Sequence, residues 1–249
     1  MTGRLAFSIL FSYAVAFIAC GDEAAREARP GREPASNTKP YAEHMSAHFE
    51  EAADIQAAII RGDIDAVREP AKWLAEHPDV EGVPENWGPY VKDLRAEARL
   101  VGEARTFSAA SQATASLIKV CGACHEALGA RTRIPEMGAL GVPPAEQLGV
   151  VPHMLRHKWA ADQMWMALVE PSGVAWQNAV EVLADAPLNA QDVTDAGEFS
   201  KDAGILTQQV HQIRTKAQSA ADLDSRAEVY GAFLSTCATC HQILHTEIE

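Results

Sequence analysis

Four of the five cysteines fall into two strings of one pattern, Cys121-Gly122-Ala123-Cys124-His125 and Cys237-Ala238-Thr239-Cys240-His241. On a helix the paired cysteines are three positions apart and the histidine is four from the first, so all three side chains share one face. Two thiols and an imidazole converging from one side form the donor set that attaches haem covalently. The thiols form thioethers with the two vinyl groups, and the histidine reaches the iron from the same side. The reading is two haem c groups, bound covalently through Cys121, Cys124, Cys237 and Cys240, with His125 and His241 as proximal iron ligands. Two other chemistries use C-x-x-C. A thiol-redox pair belongs beside a βαβ pattern, which this chain lacks. A four-cysteine zinc site does not require a histidine directly after each pair.

A second string also occurs twice, His44-Met45-Ser46-Ala47-His48 and His153-Met154-Leu155-Arg156-His157. The C-x-x-C-H strings are offset by 116 positions and the H-M-x-x-H strings by 109. Two motifs recurring in the same order at nearly one spacing indicate internal duplication. The seven-residue difference is expected as a loop insertion near Asn189 to Gly197. Met or His can each ligate haem iron, so Met45, His48, Met154 and His157 are the distal candidates. His77, His211 and His245 have no repeated counterpart and read as surface or capping residues. Trp73, Trp87, Trp159, Trp165 and Trp176 read as packing residues.

The elements that must position these groups are helices. Apolar residues at helical spacing predict Tyr41 to Arg61, then a helix capped by Asp63 and running to about Glu76, then Tyr90 to Arg105 and Ser108 to Leu128. The second half is expected to repeat them as Pro152 to Val169, Ser172 to Ala184, Ala196 to Ala220 and Ser225 to Thr246, with Ser225 and Glu228 as a capping box. No strand alternation is evident. The expectation is an all-α chain of two tandem four-helix bundles, residues 41–130 and 152–249, joined by a Gly- and Pro-rich linker over 131–151. Each bundle carries its haem motif on the last helix.

Residues 1–19 combine a short basic start with an apolar run from Leu5 to Ala19, as in a secretory signal peptide. The run is short for a membrane span, which needs roughly 20 residues. Cys20 follows Phe17-Ile18-Ala19 and resembles the lipidated cysteine of a bacterial lipoprotein. Residues 20–40 then read as a lipidated N-terminus and a charged, Pro-containing tether. Export to the periplasmic side of a bacterial membrane, with lipid anchoring at Cys20, is the expectation.

Lys and Arg total 21 against 34 Asp and Glu, a formal charge of -13, which argues against nucleic acid as a partner. Hydrophobic residues at 47% are enough for a packed core.

A four-helix domain with C-x-x-C-H on its last helix resembles the cytochrome c prime group, the class II cytochromes c. The resemblance covers each half nearly completely. It implies a haem lying between helices, with the first helix supplying the distal residue, which is where H-M-x-x-H falls. It also implies a dimer contact, which a tandem chain can satisfy internally; a homodimer is the other expectation. Relatives often carry a basic residue four positions after the haem histidine, where this chain has Gly129 and His245, and the first-helix arginine near the propionates has no clear counterpart. These departures weaken transfer of the group's gas-binding behaviour. The implied function is electron transfer with redox proteins outside the cytoplasm. The alternative is an open haem that binds nitric oxide, carbon monoxide or peroxide. No catalytic residue or dyad is assigned.

Overall fold

The computed structural model describes residues 39–130, 141–142, 144, 147, 149–184 and 201–246. Cys20, the expected signal and tether, most of the linker and the expected insertion at 189–197 lie outside these residues. The described chain is all-helical. Helices α1 (Lys39–Ile60), α2 (Arg68–Glu76), α3 (Gly88–Glu103) and α4 (Phe107–Leu128) make the first half. Helices α5 (Val150–Val169), α6 (Gly173–Val182), α7 (Lys201–Ser219) and α8 (Leu223–Thr246) make the second. Among the described residues, no helix is long and apolar enough to cross a membrane.

Local chemistry sets the boundaries. Thr106 caps α4 by accepting from the Ala109 N–H at 3.2 Å, and Ser172 caps α6 by accepting from Ala175 at 3.2 Å. Two expected starts are displaced. Helix α2 begins at Arg68, not beside Asp63, whose carboxylate instead accepts from the Ala66 N–H at 3.0 Å and closes a turn. Pro70 explains the shift. Proline has no N–H to return to the preceding turn, so it is tolerated in a first turn and not mid-helix. At α8 the reciprocal pair is Asp222 with Ser225, not Ser225 with Glu228. The Ser225 N–H donates to Asp222 Oδ1 at 2.8 Å, and the Asp222 N–H donates to Ser225 Oγ at 3.3 Å. Asp222 stands directly before the helix, where its carboxylate faces the free N–H groups.

The repeat survives in the fold. Ile60 and Val169, which end α1 and α5, are 109 positions apart; Glu103 and Ser219, which end α3 and α7, are 116 apart. The extra residues therefore enter between α5 and the end of α7.

The described helices form one compact unit, Lys39–Glu249, in which the two halves share a core. Its axis is the pairing of α4 with α8. Gln112 Nε2 donates to the Glu228 carbonyl at 3.2 Å, while Lys119 Nζ meets Asp224 at 2.7 Å. Advancing along α4 thus means retreating along α8, so the helices run antiparallel and their C-x-x-C-H ends lie apart. Ala110, Ser111, Thr114 and Ala115 of α4 are buried. Helix α1 crosses to the other half, where buried Gln56 Nε2 donates to the Tyr230 hydroxyl at 2.8 Å. Trp165 and Trp176 are fully buried, and Trp176 Nε1 donates to the Ala217 carbonyl at 2.9 Å.

Because the Gln56–Tyr230 bond joins the halves in a buried setting, Tyr230→Phe leaves the Gln56 amide short of a partner. The expected cost is about 1–3 kcal/mol. Denaturant unfolding of the full chain should show it as an earlier midpoint within one shared transition.

Candidate functional site

Helices α5, α7 and α8 of the second half border a small cleft open to solvent. Helix α8 contributes Cys237, Cys240 and His241, helix α5 contributes Met154 and His157, and Ile60 closes one wall from the end of α1. The structure therefore brings residues of one C-x-x-C-H string and one H-M-x-x-H string to a single apolar cleft. Val210 of α7 adds to its apolar lining.

His241 is held through one ring nitrogen. Its Nδ1 contacts the Ile60 carbonyl oxygen, and His125 Nδ1 lies 2.9 Å from the Val169 carbonyl. A carbonyl can only accept, so Nδ1 carries the proton in both rings and Nε2 keeps its lone pair for a metal. Sequence reasoning assigned both histidines but could not name these carbonyl partners, which come from distant segments.

His157 is 7% exposed, and its Nε2 is buried with no hydrogen-bond partner. His48, its counterpart in the repeat, likewise has a buried Nε2 without a partner. Burial, followed by the neighbouring His44 and His77, pushes the pKa of His48 down to about 3. Burial, then His153 and His211, drives His157 well below the usual imidazole range. Both rings are neutral at pH 7, the form in which imidazole ligates a metal. Met45 and Met154 are each partly buried on the same helices.

The structure assigns His77 and His211 a place that sequence comparison missed. His44, His48 and His77 bring their ring nitrogens within 4.8 Å of one another, and so do His153, His157 and His211. His77 also stacks on Trp73, with ring centroids 3.8 Å apart. The third histidine comes from the end of α2 in one half and from α7 in the other, so matching repeat positions cannot reveal the correspondence. Arg95 occupies the α3 position that matches His211, and its charge further opposes protonation of His44 and His48.

The cysteines fit attachment better than the other chemistries weighed from sequence. Burial pushes the Cys121 and Cys237 thiols up to about 12, which opposes the thiolate that redox exchange requires. Among the described residues no cluster unites the two cysteine pairs, which removes a shared four-cysteine zinc site. A haem c fits the second-half cleft by its donors: two thiols and an Nε2 on α8, an unpartnered imidazole on α5, and apolar walls between. In the first half Cys121, Cys124 and His125 share one face of α4, and Gly129 ends that helix in a left-handed turn at φ 60°. The side chain of His245 lies outside the described residues.

No protein-family model, curated protein or solved structure matches this chain.

The depressed histidines make stability depend on pH. The unfolded rings take up protons below about pH 6.5, whereas folded His48 and His157 resist them. Their contribution is complete above pH 6.5 and is lost as pH falls toward the folded values. For the haem-free chain, the thermal midpoint should fall between pH 7 and 5, above most carboxylate titration. His157→Gln should flatten that fall when unfolding is followed by circular dichroism.

Proposed function

We propose that the chain is a di-haem c-type cytochrome that transfers electrons outside the cytoplasm. The observation that carries this reading is the meeting of Cys237, Cys240 and His241 with Met154 and His157 in one apolar cleft. Each haem would be held by one C-x-x-C-H string, as a thiol S–H adds across each vinyl group. Once bound, its iron supplies a one-electron couple. The chain's residues orient the ring, exclude water and set the ligand field. Both halves of the repeat would then be haem-binding units of the cytochrome c prime type.

On the distal side we assign His157, and His48 by the repeat. Met154 also lines the cleft, but the buried imidazole Nε2 has no partner, a costly state that a metal bond would relieve. The acidic surface fits a basic redox partner. Lipidation at Cys20 would hold the carrier at the periplasmic face of a membrane, with residues 20–40 as its tether.

The test is expression of the full chain in a host with haem-attachment machinery, followed by a pyridine haemochrome assay. Two haems per chain are expected, falling to one when Cys237 and Cys240 are both replaced by alanine. Reduced spectra should show sharp low-spin bands, and His157→Ala should convert one of the two haems to a high-spin form that binds carbon monoxide. If carbon monoxide binds the unaltered protein, the open-haem reading replaces electron transfer. Loss of the low-spin form in Met154→Ala but not in His157→Ala would give the distal role to methionine.

A further inference from the structure

We infer that the two haem sites are mechanically coupled, each proximal histidine being oriented by the first helix of the opposite half. This rests on the haem reading above.

The two contacts are reciprocal. His125 of the first half meets the carbonyl of Val169, the last residue of α5; His241 of the second half meets the carbonyl of Ile60, the last residue of α1. Val169 and Ile60 are repeat equivalents, as are His241 and His125. The same contact is therefore made twice, in opposite directions between the halves. Chance placement of a single imidazole would not reproduce it at both repeat positions.

Steric detail shows that these approaches are close. A Cβ on Gly122, within the first haem string, would lie 1.9 Å from the Leu168 carbonyl oxygen. Only glycine lets the end of α5 settle onto α4 there. The mirror contact places the demand on the other partner. Gly62, at φ 75°, would bring a Cβ to 3.0 Å from the Ala238 carbonyl and the Gln242 nitrogen. Gly122 and Ala238 are the same position in the two haem strings, so both are docking points for a first helix. Gly122 and Gly62 are positioning residues: neither touches the iron, and each sets how a carbonyl meets a proximal imidazole.

Donation from Nδ1 fixes ring orientation and raises the basicity of Nε2, which stabilises the oxidised iron. What is unusual is the source of the acceptor. Helix α1 carries His48, assigned to the first site by the repeat, and the Ile60 carbonyl at the second, 12 residues or about 18 Å along one helix. Helix α5 carries His157 at the second site and the Val169 carbonyl at the first, over the same 12 residues. A shift of either helix on ligand or redox change at one iron alters the proximal hydrogen bond of the other.

The experiment uses the full chain in two forms. In the haem-free protein, long-range ¹H–¹⁵N spectra of the imidazoles should show His125 and His241 as Nδ1–H tautomers, and Gly122→Ala should shift His125 away from that state. In the haem-loaded protein, potentiometry should resolve two couples. Gly122→Ala should raise the potential of the His125 haem, whereas the milder Gly62→Ala should raise that of the His241 haem. Wild-type rings in the Nε2–H form would overturn the proposal without any variant. So would two unmoved potentials in folded variants. Failure of the wild type to take up haem would instead sink the functional reading, while the tautomer measurement would still decide whether the reciprocal bonds exist.

Discussion

The antiparallel contact of α4 with α8 is the constraint from which the remaining geometry follows. These helices bear the two C-x-x-C-H strings at their C-terminal ends, so antiparallel pairing sends the strings apart. It also opens a flank on each helix for the first helix of the other half. The same packing leaves α7 beside α8, and with α5 these bound the second-half cleft.

Burial of histidine is the second organising feature. A protein of net charge -13 draws protons toward its surface, yet His48 and His157 sit where desolvation outweighs that attraction. The third ring of each cluster, His77 or His211, adds like charge whenever it is protonated and so keeps its neighbours neutral. A neutral imidazole with an open Nε2 is useful at a metal and costly elsewhere, and this difference separates the buried pair from ordinary surface histidines.

Much of this architecture was legible in the sequence because it depends on local rules. Helical period and the doubled motifs foretold the all-α class and the order of the described helices. The displaced starts of α2 and α8 turned on local competition that a single preferred cap cannot resolve: Pro70 in one case, Asp222 standing ahead of Ser225 in the other. Contacts between the halves were not legible. Neither the Val169 carbonyl nor the Ile60 carbonyl has a side-chain signature, and Gly122 looks like a filler residue of its motif until the end of α5 is placed upon it. His77 and His211 escaped for a related reason, since equivalent space is filled from non-equivalent sequence.

The crossed docking of first helices on last helices also bears on how such a chain could arise. A single half that paired with a copy of itself about a two-fold axis would make both contacts at once, because symmetry obliges each copy to receive what it gives. Joining the copies in one gene preserves the embrace and removes the obligation that its two sides be identical. Glycine at 122 opposite alanine at 238, and histidine at 77 opposite histidine at 211 from another helix, are the divergence that such a fusion permits.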